Sequence, residues 1–119
     1  MTRTRTLFAA ALLLIPAAAS AHALLRESIP AVGSTVHTPP QQITLFYNEG
    51  VVPAFTTVTV TNAAGAHFEA GGPHRTADDP RQVAVPLKPL PPGTYRVLWH
   101  ALSVDTHRTE GSFSFHVGR

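Results

Sequence analysis

The chain has 119 residues, which is enough for one small domain and too few for two. It contains no cysteine, which excludes disulfides, cysteine nucleophiles, zinc ribbons and blue-copper thiolate sites. The formal net charge is only +2, charged residues make up 13% of the chain, and eleven prolines favour short strands and turns over a helical bundle.

Residues 1–21 have the three-part pattern of a secretory signal peptide. Arg3 and Arg5 form a basic start, residues 7–15 are apolar, and small residues occupy positions 19–21. The apolar run is well short of the roughly 20 residues that a membrane helix needs. We therefore predict a signal peptide over this segment and an exported, periplasmic mature protein.

Cleavage after Ala21 leaves a single mature domain of 98 residues, 22–119, which begins with His22. Loss of the two arginines of the signal leaves seven basic residues against seven acidic ones, with histidine neutral. No basic patch remains that would indicate binding of nucleic acid. Cuts after Ala19 or Ala23 also place small residues at the required positions, and these alternatives stay open.

Apolar runs, several of them with period-two alternation, predict strands throughout the mature domain, separated by clusters of Pro, Gly, Asn and Asp. Six or seven short strands in a domain of this size predict an all-β fold. We expect an immunoglobulin-like Greek-key sandwich or barrel of about seven antiparallel strands. The predicted strands are Ala23–Ile29, Gln42–Asn48, Thr56–Thr61, Gln82–Val85, Tyr95–Val104 and Ser112–Val117.

Turn residues fall between these strands. The sequence from Asn62 to Gly65 predicts a hairpin loop, Pro91 to Gly93 predicts a turn, and residues 71–80 form one long loop. Because there is no disulfide, packing must stabilise the fold, and we expect large aromatic side chains to anchor the core. The expected anchors are Trp99, Phe46, Phe113 and Phe115.

Residues able to bind a metal ion lie at the two ends of the mature domain. An N-terminal His22 offers its α-amine and its imidazole to one ion as a chelate. Asp105 and His107 are two residues apart, so in extended backbone their side chains point the same way. This set of nitrogen and oxygen donors suits Cu(II) better than zinc or calcium. Glu49, just after a predicted strand, could hold the amine or a bound water.

Each of these residues also has an ordinary interpretation. A terminal histidine occurs by chance in some exported proteins, an Asp-x-His pair is commonly a solvated turn, and Glu49 would ordinarily be an exposed strand end. His100, next to Trp99, could be semi-buried and paired. We interpret the remaining histidines as surface or strand-face residues: His37, His67, His74 and His116.

Both halves of the mature domain contain short motifs. Each motif is short, but their order and spacing together are specific. The opening half has His22 to Leu25, followed by the run from Ile43 to Glu49. The closing half has Leu90 to Trp99 and then Ser103 to His107. This combination resembles the CopC family of periplasmic copper-binding proteins, and the similarity extends over essentially all of residues 22–117.

The resemblance implies that His22, Asp105 and His107 bind one Cu(II) ion per chain. It implies that Glu49 does not bind the ion itself but contacts the groups that do. It implies a seven-stranded Greek-key β-barrel of immunoglobulin-like type. It also implies a non-enzymatic carrier or buffer in copper homeostasis or resistance, which could pass copper to a CopD-like inner-membrane transporter. We expect this carrier to be a monomer.

The chain departs from the family pattern at two points. The family usually has Gly between the Asp and the His and often Pro after the His, where this chain has Thr106 and Arg108. If that Gly adopts positive φ, Thr106 would strain the loop. The mature domain also lacks methionine and cysteine, so we predict a Cu(II)-only protein without a Met-rich Cu(I) site.

Two other functions remain open. An N-terminal histidine chelate with a second histidine is also the histidine brace of lytic polysaccharide monooxygenases. The lack of disulfides, and an aspartate in the position that oxygen would need, argue against such a copper oxidase. The other alternative is a sandwich module that binds a protein or glycan and no metal. It becomes the leading interpretation if the mature chain begins at Leu24.

Overall fold

The computed structural model describes residues 23–119, where seven β-strands form two sheets. A short 3-10 turn, Pro53–Phe55, precedes the fourth strand. The predicted signal segment and His22 lie outside the described residues. The strands in chain order are β1 Leu25–Ile29, β2 Thr35–Val36, β3 Gln42–Tyr47, β4 Thr57–Asn62, β5 Gln82–Pro86, β6 Gly93–Leu102 and β7 Arg108–Val117.

One sheet has the strand order β1-β3-β5 and the other has the order β2-β7-β6-β4. The all-β Greek-key sandwich expected from the sequence is confirmed. Strand β2 was not predicted, because two residues are too few to show an alternating pattern. It pairs with β7 in parallel, so the expectation of antiparallel strands is wrong for this one pair.

The core lies between the two sheets and follows the predicted alternation. In β7, Phe113 and Phe115 are buried while Ser112 and Ser114 face outward. The expectation that Phe46 anchors the core is wrong. It is only half-buried, because it lies between two inward-facing residues of β3 and so points away from the core.

Tyr95 is a core anchor that the sequence did not single out. Its side chain is 2% exposed, and its ring lies 5.2 Å from that of Phe68 and 5.6 Å from that of Phe115. Trp99, an expected anchor, is buried and its ring contacts the edge of Tyr47 at 5.2 Å. The pair of Tyr47 on β3 and Trp99 on β6 connects the two sheets, and aromatic contacts of this kind strengthen packing beyond the burial of area.

Three chain segments meet at one end of the sandwich. They are the residues before β1, the residues after β3, and the turn of residues 103–107 between β6 and β7. The amide of Val104 donates to the carbonyl of Gly50 at 2.9 Å, and Val51 forms a bridge with Ser103. Strand β6 therefore ends at Leu102, two residues earlier than predicted, and the chain turns beside the end of β3.

Candidate metal centre

The turn that joins β6 to β7 is closed by two backbone hydrogen bonds. The amide of Ser103 donates to the carbonyl of His107 at 2.9 Å, and the amide of Thr106 donates to the carbonyl of Ser103 at 3.0 Å. Thr106 has a φ of +75°, the left-handed conformation that glycine adopts most readily. The strain expected at Thr106 is therefore present. The backbone here is a tight turn, so the expectation of extended backbone is wrong.

The turn still brings Asp105 and His107 together. The Oδ2 atom of Asp105 lies 3.2 Å from Nδ1 of His107, within ion-pair distance. The His107 side chain is 54% exposed, whereas that of Asp105 is 28% exposed. A buried carboxylate oxygen and the nitrogen of a partly exposed imidazole therefore lie side by side at the end of the sandwich.

The two oxygens of Asp105 have different surroundings. Oδ1 accepts hydrogen bonds from the hydroxyl of Ser103 and, at 3.3 Å, from the amide of His107. Oδ2 is buried, and its one contact among the described residues is the ion pair with Nδ1 of His107. A buried carboxylate oxygen that faces only an imidazole nitrogen is suited to bind a cation together with that nitrogen.

The surroundings of Asp105 also keep its carboxyl group ionised. The hydroxyl of Ser103 is the largest cause, and with the ring and amide of His107 it lowers the pKa of Asp105 to about 2, against a smaller opposing effect of desolvation. A deprotonated carboxylate is therefore present at neutral pH without any metal. Metal binding need not displace a proton from this group.

The chain start is fixed beside the same turn. Ala23 is fully buried, and its carbonyl accepts a hydrogen bond of 2.6 Å from the hydroxyl of Thr109, two residues after His107. The next residue, Leu24, donates its amide to Oδ1 of Asn48 at 2.7 Å. Ala23, the first described residue, directly follows His22 in the sequence and is thus bonded to a residue two positions after His107.

Glu49 lies on the third segment at this end of the molecule. It is half-buried and stands between Asn48, which is bonded to Leu24, and Gly50, whose carbonyl accepts the amide of Val104. Val104 in turn precedes Asp105. The structure therefore places Glu49 on a segment that is bonded both to the chain start and to the turn.

The other paired histidines are distributed away from this turn. His67 pairs with Glu69 at 2.7 Å, and His100 of β6 pairs with Glu110 of β7 at 2.9 Å. The His100 side chain is 54% exposed, so the expectation that it is semi-buried is wrong. Across residues 23–119, no group of three or more His, Asp or Glu side chains is arranged to hold an ion. The Asp105 and His107 pair is thus a partial site.

Sequence reasoning missed three side chains that shape this centre: Ser103, Asn48 and Thr109. Ser103 precedes Asp105 by two residues, a spacing at which a serine hydroxyl often bonds within its own turn. That signal was present in the sequence. The contacts of Asn48 and Thr109 join residues far apart in the chain, so no local pattern could indicate them.

Comparisons with known proteins show which family and fold the chain resembles. A family model described as the CopC domain matches residues 25–118. Protein YobA of Escherichia coli K12 is 40% identical over 98 residues, which cover 82% of this chain and 79% of YobA. No helix among residues 23–119 has the length and apolar character needed to cross a membrane.

Two solved structures share the fold. The crystal structure of CopC from Methylosinus trichosporium OB3b has a TM-score of 0.76 and 29% identity, covering 82% of this chain and 94% of that one. PcoC from E. coli, a methionine-rich copper resistance protein, has a TM-score of 0.71 and 32% identity, covering 82% and 99%. Both likenesses extend over most of each chain.

Proposed function

The chain belongs to the CopC family, and from this membership we propose that it is a periplasmic carrier or buffer that binds one Cu(II) ion per chain. Proteins of this family bind copper and are not enzymes. The copper oxidase considered from the sequence is therefore set aside. The sandwich module that binds no metal remains as the alternative.

The proposed ligands are the amine and imidazole of His22, Oδ2 of Asp105 and the imidazole of His107. Two donor atoms bound side by side at right angles, each about 2.0 Å from one ion, are roughly 2.9 Å apart. The 3.2 Å between Oδ2 and Nδ1 is close to this spacing. The anchoring of Ala23 to Thr109 supports a place for His22 nearby, since adjacent Cα atoms are about 3.8 Å apart.

Glu49 takes the supporting role in this proposal. Its neighbours Asn48 and Gly50 are hydrogen-bonded to Leu24 and Val104. The backbone of Glu49 therefore lies close to the first described residues. From there it would accept a hydrogen bond from the His22 amine or from a water on the ion. Such contacts orient the groups that bind the metal.

The donor set favours Cu(II) over Cu(I). Amine, imidazole and carboxylate groups suit the harder ion, whereas Cu(I) prefers thiolate and thioether sulfur. The chain has no cysteine, and its one methionine is Met1, inside the predicted signal peptide. PcoC, by contrast, is described as methionine rich.

The carrier would be exported by the signal at residues 1–21 and act as a monomer. The turn with Asp105 and His107 lies at the end of the sandwich, and more than half of the His107 side chain is exposed. A partner could therefore reach the ion without unfolding the domain. We propose a CopD-like inner-membrane copper transporter as that partner.

One observation supports this function most directly: Oδ2 of Asp105 is buried and lies 3.2 Å from Nδ1 of His107, so that one carboxylate oxygen and one imidazole nitrogen stand side by side. Native mass spectrometry of the exported protein, with and without Cu(II), tests it. We expect a chain that begins at His22 and retains one copper, and that loses it in His22→Ala and His107→Ala.

His100→Ala is the matched control, because the side chains of His100 and His107 are both 54% exposed and both lie beside a carboxylate. It should retain copper like the parent. A mature chain that begins at Leu24, or one that begins at His22 and holds no copper, would contradict the proposal and favour the module that binds no metal.

A further inference from the structure

Ser103 occupies a buried position between β6 and the turn. Its side chain is 1% exposed, and its backbone forms a bridge with Val51 at the end of the neighbouring sheet. It is therefore held by the sandwich itself rather than by the turn alone. A side chain fixed in this way can impose its geometry on flexible neighbours.

The hydroxyl of Ser103 contacts both members of the candidate site. It donates a hydrogen bond to Oδ1 of Asp105 and lies 3.3 Å from the amide of His107, from which it accepts. The same amide also lies 3.3 Å from Oδ1. One hydroxyl and one amide thus both act on the Oδ1 side of the carboxylate.

The two oxygens of the Asp105 carboxylate therefore have different partners. Turning the group so that both oxygens faced an ion would break the bond to a buried hydroxyl and leave that hydroxyl unpaired, which is costly, whereas a half-turn only exchanges two equivalent oxygens. Oδ2 has no such partner among the described residues and faces Nδ1 of His107. Only Oδ2 is therefore presented to an ion beside His107.

We propose that Ser103 is a positioning residue of the copper site, which holds Oδ1 of Asp105 so that Cu(II) is bound by Oδ2 alone. This inference rests on the proposed function, because it requires Asp105 to be a ligand. In this proposal Asp105 binds the ion through one oxygen, and Ser103, which does not touch the ion, is the reason.

Ser103→Ala tests this directly, with Ser28→Ala as the matched control. Ser28 is also a buried serine, 3% exposed, and its hydroxyl donates to the carbonyl of Pro30 at 2.8 Å. Thermal unfolding of the metal-free proteins first compares the loss of stability in the two variants. Affinity for Cu(II) is then measured by competition with a chelator, and the site is examined by electron paramagnetic resonance.

We expect Ser103→Ala to bind Cu(II) about 10- to 100-fold more weakly than the parent, the usual effect of removing a group that orients a ligand. Its resonance spectrum should change, because the freed carboxylate can turn or bind through both oxygens. Ser28→Ala should keep the parental affinity and spectrum. Parental affinity and spectrum in Ser103→Ala would overturn the inference.

Asp105→Asn provides a second test that leaves Ser103 in place. If Ser103 sets the orientation, its hydroxyl donates to the amide oxygen and the NH2 group faces the ion, which it cannot bind. Copper binding should then be as weak as in Asp105→Ala. Binding clearly tighter than in Asp105→Ala would show that the group turns freely, and would overturn the inference even if Ser103→Ala failed to fold.

The failures of the two proposals are distinguishable. If Asp105→Ala binds copper as the parent does, then Asp105 is not a ligand and the proposed site itself is wrong. If Asp105→Ala loses copper while Ser103→Ala keeps the parental affinity and spectrum, the site is correct and only the role of Ser103 is wrong.

Discussion

The hydroxyl of Thr109 donates a 2.6 Å hydrogen bond to the carbonyl of Ala23, a residue 86 positions earlier in the chain. Thr109 belongs to β7, and it follows the turn with Asp105 and His107 by two residues. This bond ties the chain start to the strand that leaves the candidate site. Under the proposed function, this bond would hold His22 near Asp105 and His107 without a disulfide.

Thr109→Val should weaken Cu(II) binding by about tenfold, because the chain start is no longer held beside the turn. Stability of the metal-free protein should fall by only about 1 kcal/mol, the usual contribution of one hydrogen bond. Chelator competition and urea unfolding measure the two effects. Thr59→Val, at another half-buried threonine on β4, is the control and should keep the parental affinity. An unchanged affinity in Thr109→Val would contradict the prediction.

Thr106→Gly should stabilise the metal-free protein by about 1 kcal/mol. Thr106 has a φ of +75°, and the left-handed conformation costs a residue with a Cβ atom about that much or more. Urea unfolding should show a higher midpoint. Thr57→Gly, on β4, lacks this strain and should be less stable than the parent. A lower midpoint for Thr106→Gly would show that the turn is not strained.

Gly111→Ala should destabilise the protein by about 1 to 3 kcal/mol, because a Cβ atom at this position would lie 2.5 Å from Cζ2 of Trp99. Trp99 is the only tryptophan, so its fluorescence reports both the shift of the ring and the unfolding midpoint. Gly72→Ala is the control, since nothing lies within 4 Å of its new Cβ atom. Equal midpoints for the two variants would contradict this packing.

Glu69 makes stability depend on acid pH. Partial burial acts to raise its pKa, but the hydrogen bond from the amide of Val60 and the contact with His67 outweigh it, so the pKa of Glu69 lies below its ordinary value of 4.5. Its contribution is complete above about pH 4.5 and is lost as pH falls towards the lower folded pKa. Glu69→Gln should therefore be less stable than the parent at pH 7, by an amount that shrinks at pH 3.5. Urea unfolding at both pH values measures this. The same difference at both would argue against the ionised Glu69 as the cause.

Residue patterns alone predicted six of the seven strands: five agree within two residues at each end, and β7 begins four residues earlier than expected. Alternation of side chains reports which face of a strand is buried, because successive residues point to opposite sides. It failed for Phe46, whose aromatic character suggested the core although its position in β3 points outward. It also failed for β2, which exists only because β7 is available to pair with it.

The amino-acid sequence by itself determined the all-β fold and the donor types of the candidate site, since both follow from local composition and spacing. The strain at Thr106 was expected from the resemblance to the CopC family, which usually has Gly at that position. Only the tertiary structure decided which oxygen of Asp105 faces His107 and what holds Ser103 and Ala23 in place. Ser103 is fixed by its bridge with Val51, and Ala23 by the hydroxyl of Thr109, through contacts between distant segments. Such contacts arise when the two sheets pack, and no local pattern encodes them.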